Sequence, residues 1–211
     1  MLEIKNLNIS FKNKSVLHQL NLSVEQGSVF GILGKNGAGK TTLFEGLYQS
    51  LPYSGEILWN EKSLKRENIG YLETENYFYP YITGEEYLGY FRGKDKMEAV
   101  KMAEQFRLPL KKFVQNYSHG MKKKLALVGL LQLNHPINIL DEPFNGVDFE
   151  GVQQLYEVIR NLKNESKIII ISSHIIETLF HTCDKIGILE NGRITQIYPK
   201  ENFDELKDYK G

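Results

Sequence analysis

The chain predicts an α/β fold, a core of alternating strands and helices divided by an inserted helical segment. Three observations predict it. An apolar run, Val29 to Leu33, leads through a glycine-rich turn into a helical stretch. From Thr83 to Leu133 the patterning is mainly helical, with breaks at Pro109 and over Tyr117 to Gly120. Beyond Pro136, apolar strand-like runs again alternate with amphipathic helix. The core is therefore expected over residues 1–75 and 136–211, with the helical insertion over 76–135, all within one domain.

In order along the chain, Leu7, Ile9 and Phe11 alternate with polar residues, and so do Leu20, Leu22 and Val24. Both patterns predict half-buried strands. Val29 to Leu33 is apolar throughout, as in a strand covered on both faces. Thr41 to Tyr48 predicts a helix, and Ile57 to Trp59 and Ile69 to Leu72 predict short strands. After the insertion, Ile137 to Leu140 reads as a strand. Val152, Leu155, Tyr156, Ile159 and Leu162 share one face of a helix. Lys167 to Ser172 is a further buried strand. Ile186 to Leu189 and Arg193 to Ile197 flank Asn191-Gly192, a strong hairpin signal. The tail beyond Tyr198 is charged, and is expected to be helical or loosely held.

Lysine and arginine number 26, aspartate and glutamate 26, so the formal charge is zero. This balance gives no pointer to nucleic acid or anionic lipid, and no nucleic-acid partner is expected. No apolar stretch reaches the ~18 residues of a membrane span. Met1 to Lys5 lacks the apolar core of a signal peptide. The single cysteine, Cys183, reads as a packing residue, and a reducing, cytoplasmic setting is expected.

The richest segment is Gly34-Lys35-Asn36-Gly37-Ala38-Gly39-Lys40-Thr41-Thr42, which fits G-x-x-x-x-G-K-[ST] between a strand and a helix. That context aims several backbone N–H groups and a helix dipole into one small space, which suits a polyphosphate. Gly34, Gly37 and Gly39 permit the turn and the close approach. Lys40 supplies a mobile positive charge, and Thr41 a hydroxyl for Mg²⁺. Asn36, Ala38 and Thr42 complete the loop.

Two further strand ends carry matching chemistry. Ile137-Asn138-Ile139-Leu140-Asp141-Glu142 is an apolar strand ending in carboxylates, where parallel sheets place their ligands. Asp141 is expected to hold Mg²⁺ near Thr41, and Glu142 to accept a proton from an attacking water. His174 follows the strand ending at Ser172, placed to touch a γ-phosphate or orient that water.

The order of these pieces resembles the nucleotide-binding domain of ATP-binding cassette (ABC) transporters over nearly the whole chain. Tyr117-Ser118-His119-Gly120-Met121 resembles the family's LSGGQ signature, and Asn145-Gly146-Val147-Asp148 its D-loop. His174 matches the switch histidine, and Phe11 the adenine-stacking aromatic. The resemblance implies a P-loop NTPase core with an antiparallel β subdomain and an inserted α-helical signature subdomain. It implies ATP and Mg²⁺ as cofactors and two subunits, identical or related, closing around two ATP. Ser118 and Gly120 would then contact the nucleotide of the other subunit, and Asn145, Gly146 and Asp148 would lie at the dimer interface. It also implies a transmembrane permease partner, which would place the chain on the inner face of the membrane. The Tyr-Ser-x-Gly-Met-Lys form and Thr83 to Leu88 look most like bacterial ABC-2-type exporters.

Ser118 is itself a good N-cap for a helix over Met121 to Leu133. Lys122-Lys123-Lys124 opens that helix and reads as a solvated basic face, with a nearby phosphate as the other reading. The run Tyr77-Phe78-Tyr79-Pro80-Tyr81 suits either a groove for the membrane partner or packing of the insertion on the core. The chain departs from the family where a glutamine is usual. Thr74, between Glu73 and Glu75, stands there, so either a neighbour contacts the metal or the link differs. His119 replaces a signature glycine, and its ring either crowds the second half-site or points outward. Two rival readings stay open. One is a soluble cassette ATPase acting on ribosomes or DNA, whose usual double cassettes or long coiled coils do not fit 211 residues. The other is a nucleotide-gated module with little hydrolysis, supported by Thr74 alone.

Overall fold

Strands and helices alternate along the chain much as the patterning predicts. The strands are β1 (Leu2–Phe11), β2 (Lys14–Val24), β3 (Val29–Leu33), β4 (Ser54–Trp59), β5 (Lys62–Ser63), β6 (Ile69–Leu72), β7 (Ile137–Asp141), β8 (Ile168–Ser172), β9 (Lys185–Glu190) and β10 (Arg193–Pro199). The helices are α1 (Lys40–Leu47), α2 (Gly84–Gly89), α3 (Lys96–Gln105), α4 (His119–Leu131), α5 (Phe149–Asn164) and α6 (Ile176–Thr182). The computed structural model describes residues 1–11, 14–91, 96–207 and 209.

Backbone pairing sorts the strands into two sheets. One is antiparallel, in the order β2-β1-β4-β5. The other runs β10-β9-β3-β8-β7-β6 and is parallel except for β10, which returns beside β9. Asn191 and Gly192 make that return with φ of 46° and 73°, the left-handed pair a tight hairpin requires.

The parallel sheet is covered on both faces, so β3, β7 and β8 are buried at every residue. Phe30, Ile32, Ile168 and Ile170 face the antiparallel sheet, with Leu43, Phe44 and Leu47 of α1 in the same cluster. Val29, Ile169 and Ile171 face the opposite way, onto Leu155 and Ile159 of α5, Leu179 of α6 and the insertion. Cys183 belongs to this second layer. A Cβ on Gly31 would lie 2.9 Å from its sulfur, and burial pushes its thiol up to about 12, as expected of an inert packing residue.

The structure adds to the sequence pattern in three places. Leu7 and Ile9 point inward, but Phe11 ends β1 with 43% of its surface exposed, where the antiparallel sheet runs past the core. Helix α6 spans too few residues for a periodic signal. The charged tail forms a tight helical turn over Lys200–Leu206 that buries Phe203 and Leu206, so it is helical and held rather than loose. Within the insertion, Thr83 and Glu86 close a reciprocal capping box on α2, and α4 runs through the centre of the subdomain.

Candidate active site

The glycine-rich loop leaves β3 at its carboxyl end and turns into α1. Gly37 and Gly39 hold φ of 82° and 107°, and Gly39 is the N-cap of α1. Gly34 is required for space instead, since a Cβ there would meet the Leu189 backbone oxygen at 2.6 Å. The first bond within α1 runs from Leu43 N to Gly39 O. The amides of Lys40, Thr41 and Thr42 therefore have no partner within the helix and stand available to an anion. Lys40 is buried and folds back, its Nζ donating to the carbonyls of Gly34 at 2.6 Å and Lys35 at 3.2 Å.

The parallel register brings the other strand ends beside this loop. Thr41 Oγ1 donates to Asp141 Oδ2 at 3.0 Å, across a separation of 100 residues. Asp141 is paired with Ser172 in the sheet, and the Ser172 hydroxyl donates to its other carboxylate oxygen. The carboxylate is thus held from two sides and 1% exposed. Glu45 and Tyr71 border it. Burial, with Glu73 and Asp141, raises the Glu45 carboxyl, while burial and Asp141 raise the Tyr71 hydroxyl. Glu45, Glu73 and Asp141 thus gather carboxylates around this point, which suits a cation. A hydroxyl and one carboxylate opening beside the glycine-rich loop fit Mg²⁺, which takes few protein ligands and completes its shell with water and phosphate oxygens.

Glu142 sits at the turn after β7 with a left-handed φ of 49°, and its amide is hydrogen-bonded to Ser172 Oγ at 3.0 Å. Its Oε2 lies 2.8 Å from His174 Nδ1 and accepts the His174 backbone N–H at 3.2 Å. Asn36, Gly37, Gly39, Lys40, Thr41, Thr42, Thr74, Asp141 and Glu142 line one open cavity, together with Val16 of β2. Ala38 lies within the same loop. Phe11 stands exposed at the end of β1 and is not among the residues lining this cavity.

Ser118 and Gly120 lie away from the cavity, at the start of α4. The Ser118 side chain caps the helix, accepting from the Met121 amide at 3.2 Å. Gly120 packs on the D-loop-like segment, where a Cβ would meet Gly146 O at 2.4 Å. The exposed His119 ring lies over Gly146, against the same segment. Asn145, Gly146 and Asp148 are exposed beside it. Asp148 caps α5 through the Gly151 amide at 3.0 Å, and that bond, with Lys124, holds its carboxyl below the usual range.

The basic run corrects the expectation of a solvated face. Lys123 is 1% exposed and Lys124 is 7% exposed, while Lys122 is half-buried. Helix α4 is surrounded by the subdomain and the core, so side chains on most of its faces turn inward. The Lys123 ammonium finds carbonyls of Glu73, Thr74 and Asp141, and Lys124 finds Asp148 Oδ1 at 3.3 Å. Of the aromatic run, Phe78 packs inward against Tyr87 with ring centroids 4.8 Å apart. Tyr77, Tyr79 and Tyr81 stand largely exposed. Sequence reasoning missed Ser172 and Lys123. The strand-end position of Ser172, in line with Asp141, is the signal that points to it.

Comparison with known proteins identifies the family and the fold. The family model described as ABC transporter matches residues 17–145. The lantibiotic transport ATP-binding protein SrtF of Streptococcus pyogenes is 32% identical over 227 residues, covering 98% of this chain and 95% of its own. A solved ATP-binding subunit of an ABC transporter is 29% identical, with a TM-score of 0.86 over 94% of this chain and 90% of that one. A dimeric ATP-binding cassette, solved in a post-hydrolysis state bound to ADP and Pi, shares the fold at 19% identity, with a TM-score of 0.83 over 95% of this chain and 99% of that one. The glycine-rich loop, the acidic strand end and the capped start of α4 lie in one chain, which belongs to the ABC transporter family and is an ATPase subunit of it.

Proposed function

We propose that this chain binds ATP with Mg²⁺, dimerises with a copy or a close relative around two nucleotides, and so drives a separate transmembrane subunit of a bacterial exporter. The observation that carries the reading is convergence on one cavity. The Thr41–Asp141 pair and Glu142, bonded to His174, open onto the same space as the glycine-rich loop.

The loop amides from Gly37 to Thr42 would bind the β- and γ-phosphates, and Lys40 would exchange the carbonyls of Gly34 and Lys35 for phosphate oxygens. Phe11 would stack on the base. Thr41 and Asp141 would hold Mg²⁺, which when bound neutralises charge on the β- and γ-phosphates. Thr74 lines that cavity and is the remaining candidate to face the metal. Glu142 would take a proton from the attacking water. His174 fixes the accepting Oε2 with two hydrogen bonds, which limits the directions from which the water can approach.

The second subunit would supply Ser118 and Gly120, whose helix start offers amides and a dipole to the γ-phosphate. Asn145, Gly146 and Asp148 would meet it at the dimer interface. Exposed Tyr77, Tyr79 and Tyr81 suit a permease contact, since aromatic side chains anchor interfaces. Among the described residues no helix is long and apolar enough to cross a membrane. The membrane-spanning part would then come from the partner, with this chain on its cytoplasmic face. The lantibiotic transport role of SrtF supports the exporter assignment. The test is purification of the tagged chain from detergent-solubilised cells, read for a membrane protein that comes with it. Copurification of the two, with ATP hydrolysis lost in Glu142→Gln, is expected. Copurification with ribosomes instead, or turnover unchanged by that substitution, would overturn it.

A further inference from the structure

Lys123 is as buried as a core leucine, yet it belongs to no step of the phosphate chemistry above. Its ammonium donates to Glu73 O at 2.9 Å, Thr74 O at 2.5 Å and Asp141 O at 3.5 Å. Strand β6 is the edge of the parallel sheet, so the chain beyond Leu72 has one neighbouring strand at most. The Thr74 carbonyl accepts from Lys123 of α4, and the Glu73 carbonyl from Lys123 and from the Asn76 side chain at 3.1 Å. Thr74 lines the nucleotide cavity, and Asp141 is the carboxylate at its floor. One side chain therefore bridges two segments of the site from behind.

The same helix has a second end to its task. Ser118 caps α4, and Gly120, Lys123 and Lys124 follow at helical spacing on one side of its first turns. Gly120 packs on Gly146, Lys124 bonds Asp148, and Lys123 bonds the Glu73–Thr74 segment and the end of β7. The first turns of α4 are thus tied to two loops and to the end of β7.

We propose that Lys123 is a positioning residue, holding the Glu73–Thr74 segment against the carboxyl end of β7 and coupling that geometry to the orientation of the Ser118 end of α4. The threonine side chain is short, and Lys123 reaches the backbone of the segment in its place. Burial holds the ammonium at about 8, and the nearby acids Asp141, Glu142 and Glu75 oppose that shift. Three carbonyl acceptors and surrounding carboxylates are the compensation a buried cation needs. An apolar replacement removes the ammonium from all three carbonyls and leaves Glu73 O with the Asn76 side-chain amide at 3.1 Å. This inference rests on the ATPase reading for its kinetic consequence and on the hydrogen bonds alone for its structural one.

The experiment compares wild type, Lys123→Met and Lys123→Arg as full chains. It reads steady-state ATP hydrolysis and amide hydrogen exchange over residues 70–78, 118–126 and 29–35 without nucleotide. For Lys123→Met, kcat is expected to fall about tenfold or more, with the KM for ATP within about threefold. Exchange should quicken over 70–78 and 118–126 and stay unchanged over 29–35. Lys123→Arg, which keeps charge and donors, is expected to recover most of kcat. Unchanged exchange over 70–78, unchanged kcat, or exchange quickened equally in all three segments would overturn the proposal. If Lys123→Met does not fold, the same readouts and the same overturning outcomes apply to Lys123→Gln, which keeps two donors on a shorter side chain. A wild type that never hydrolyses ATP would sink the ATPase reading, and the exchange arm would still decide Lys123.

Discussion

Glu142 Oε2 takes two hydrogen bonds from a single residue, the His174 ring nitrogen at 2.8 Å and the His174 backbone amide at 3.2 Å. The carboxylate reaches from the end of β7 and the histidine from the end of β8, adjacent parallel strands. The Ser172 hydroxyl sits between them, bonded to Asp141 and to the Glu142 amide. Asp141 and Glu142, the proposed metal ligand and proton acceptor, are thus positioned by one strand end.

Glu142→Gln preserves shape and removes the proposed proton acceptor. Hydrolysis should fall by about 10² to 10⁴ in kcat, the usual share of a general base. ATP binding should persist, and the variant should accumulate as an ATP-dependent dimer on size exclusion. His174→Ala should also slow turnover, because it removes the ring bond and leaves the carboxylate held by the backbone amide alone. Wild-type turnover in Glu142→Gln would remove Glu142 from the role of base.

Much of this site is legible in the sequence because strand ends announce themselves. An apolar run stops at Asp141, another at Ser172, and a third at the glycines after Leu33. Parallel topology then brings all three ends to one edge. The capped start of α4 is legible for a similar reason, since Ser118 supplies the side chain that the Met121 amide needs. Lys123 is not legible. Three lysines in a row read as solvated, and only the tertiary position of α4 turns one of them toward carbonyls left over at the ends of β6 and β7. Phe11 shows the opposite failure. Its alternation with Ile9 predicts an inward face, but the strand outruns the layer that would cover it.

Asp148 both caps α5 and answers the ammonium of Lys124, whose side chain is only 8% exposed. Asp148→Asn keeps a capping oxygen and loses the charge, whereas Asp148→Ala loses both. The alanine variant should be less stable by about 1–2 kcal/mol, the usual cost of a lost cap. The asparagine variant should fall between it and wild type. Urea denaturation orders the three. Equal stability of asparagine and alanine would mean that the charge, not the cap, is what Asp148 contributes.

Two loop glycines should respond differently to alanine. At Gly34 the added Cβ meets the Leu189 backbone oxygen at 2.6 Å, and backbone cannot yield as a side chain can. Gly34→Ala should therefore cost about 1–3 kcal/mol and lower the melting temperature. At Gly37 nothing lies within 4 Å, but φ is 82°. Gly37→Ala should cost about 1–2 kcal/mol from backbone strain alone, and ATP affinity should fall with it as the loop relaxes. Thermal melts with and without ATP separate the two. A Gly34→Ala protein as stable as wild type would show that the end of β3 can shift away from β9.

His135 supplies a pH dependence far from the nucleotide. Burial lowers its imidazole below the ordinary value of 6.5, outweighing the opposite pull of its bond to Glu67 O at 3.0 Å. Between the lowered folded value and 6.5, the unfolded chain holds more proton at this residue than the folded one. Stability therefore rises with pH across that window, and is lost as pH falls through 6.5 toward the folded value. Below both values the loss is complete. His135→Gln removes this titration while keeping a polar side chain of similar reach. Denaturant midpoints at pH 7.5 and pH 5.5 should thus fall further for wild type than for His135→Gln, since the other titrating groups are common to both. Equal falls in the two proteins would show that the imidazole titrates alike in the folded and unfolded chain.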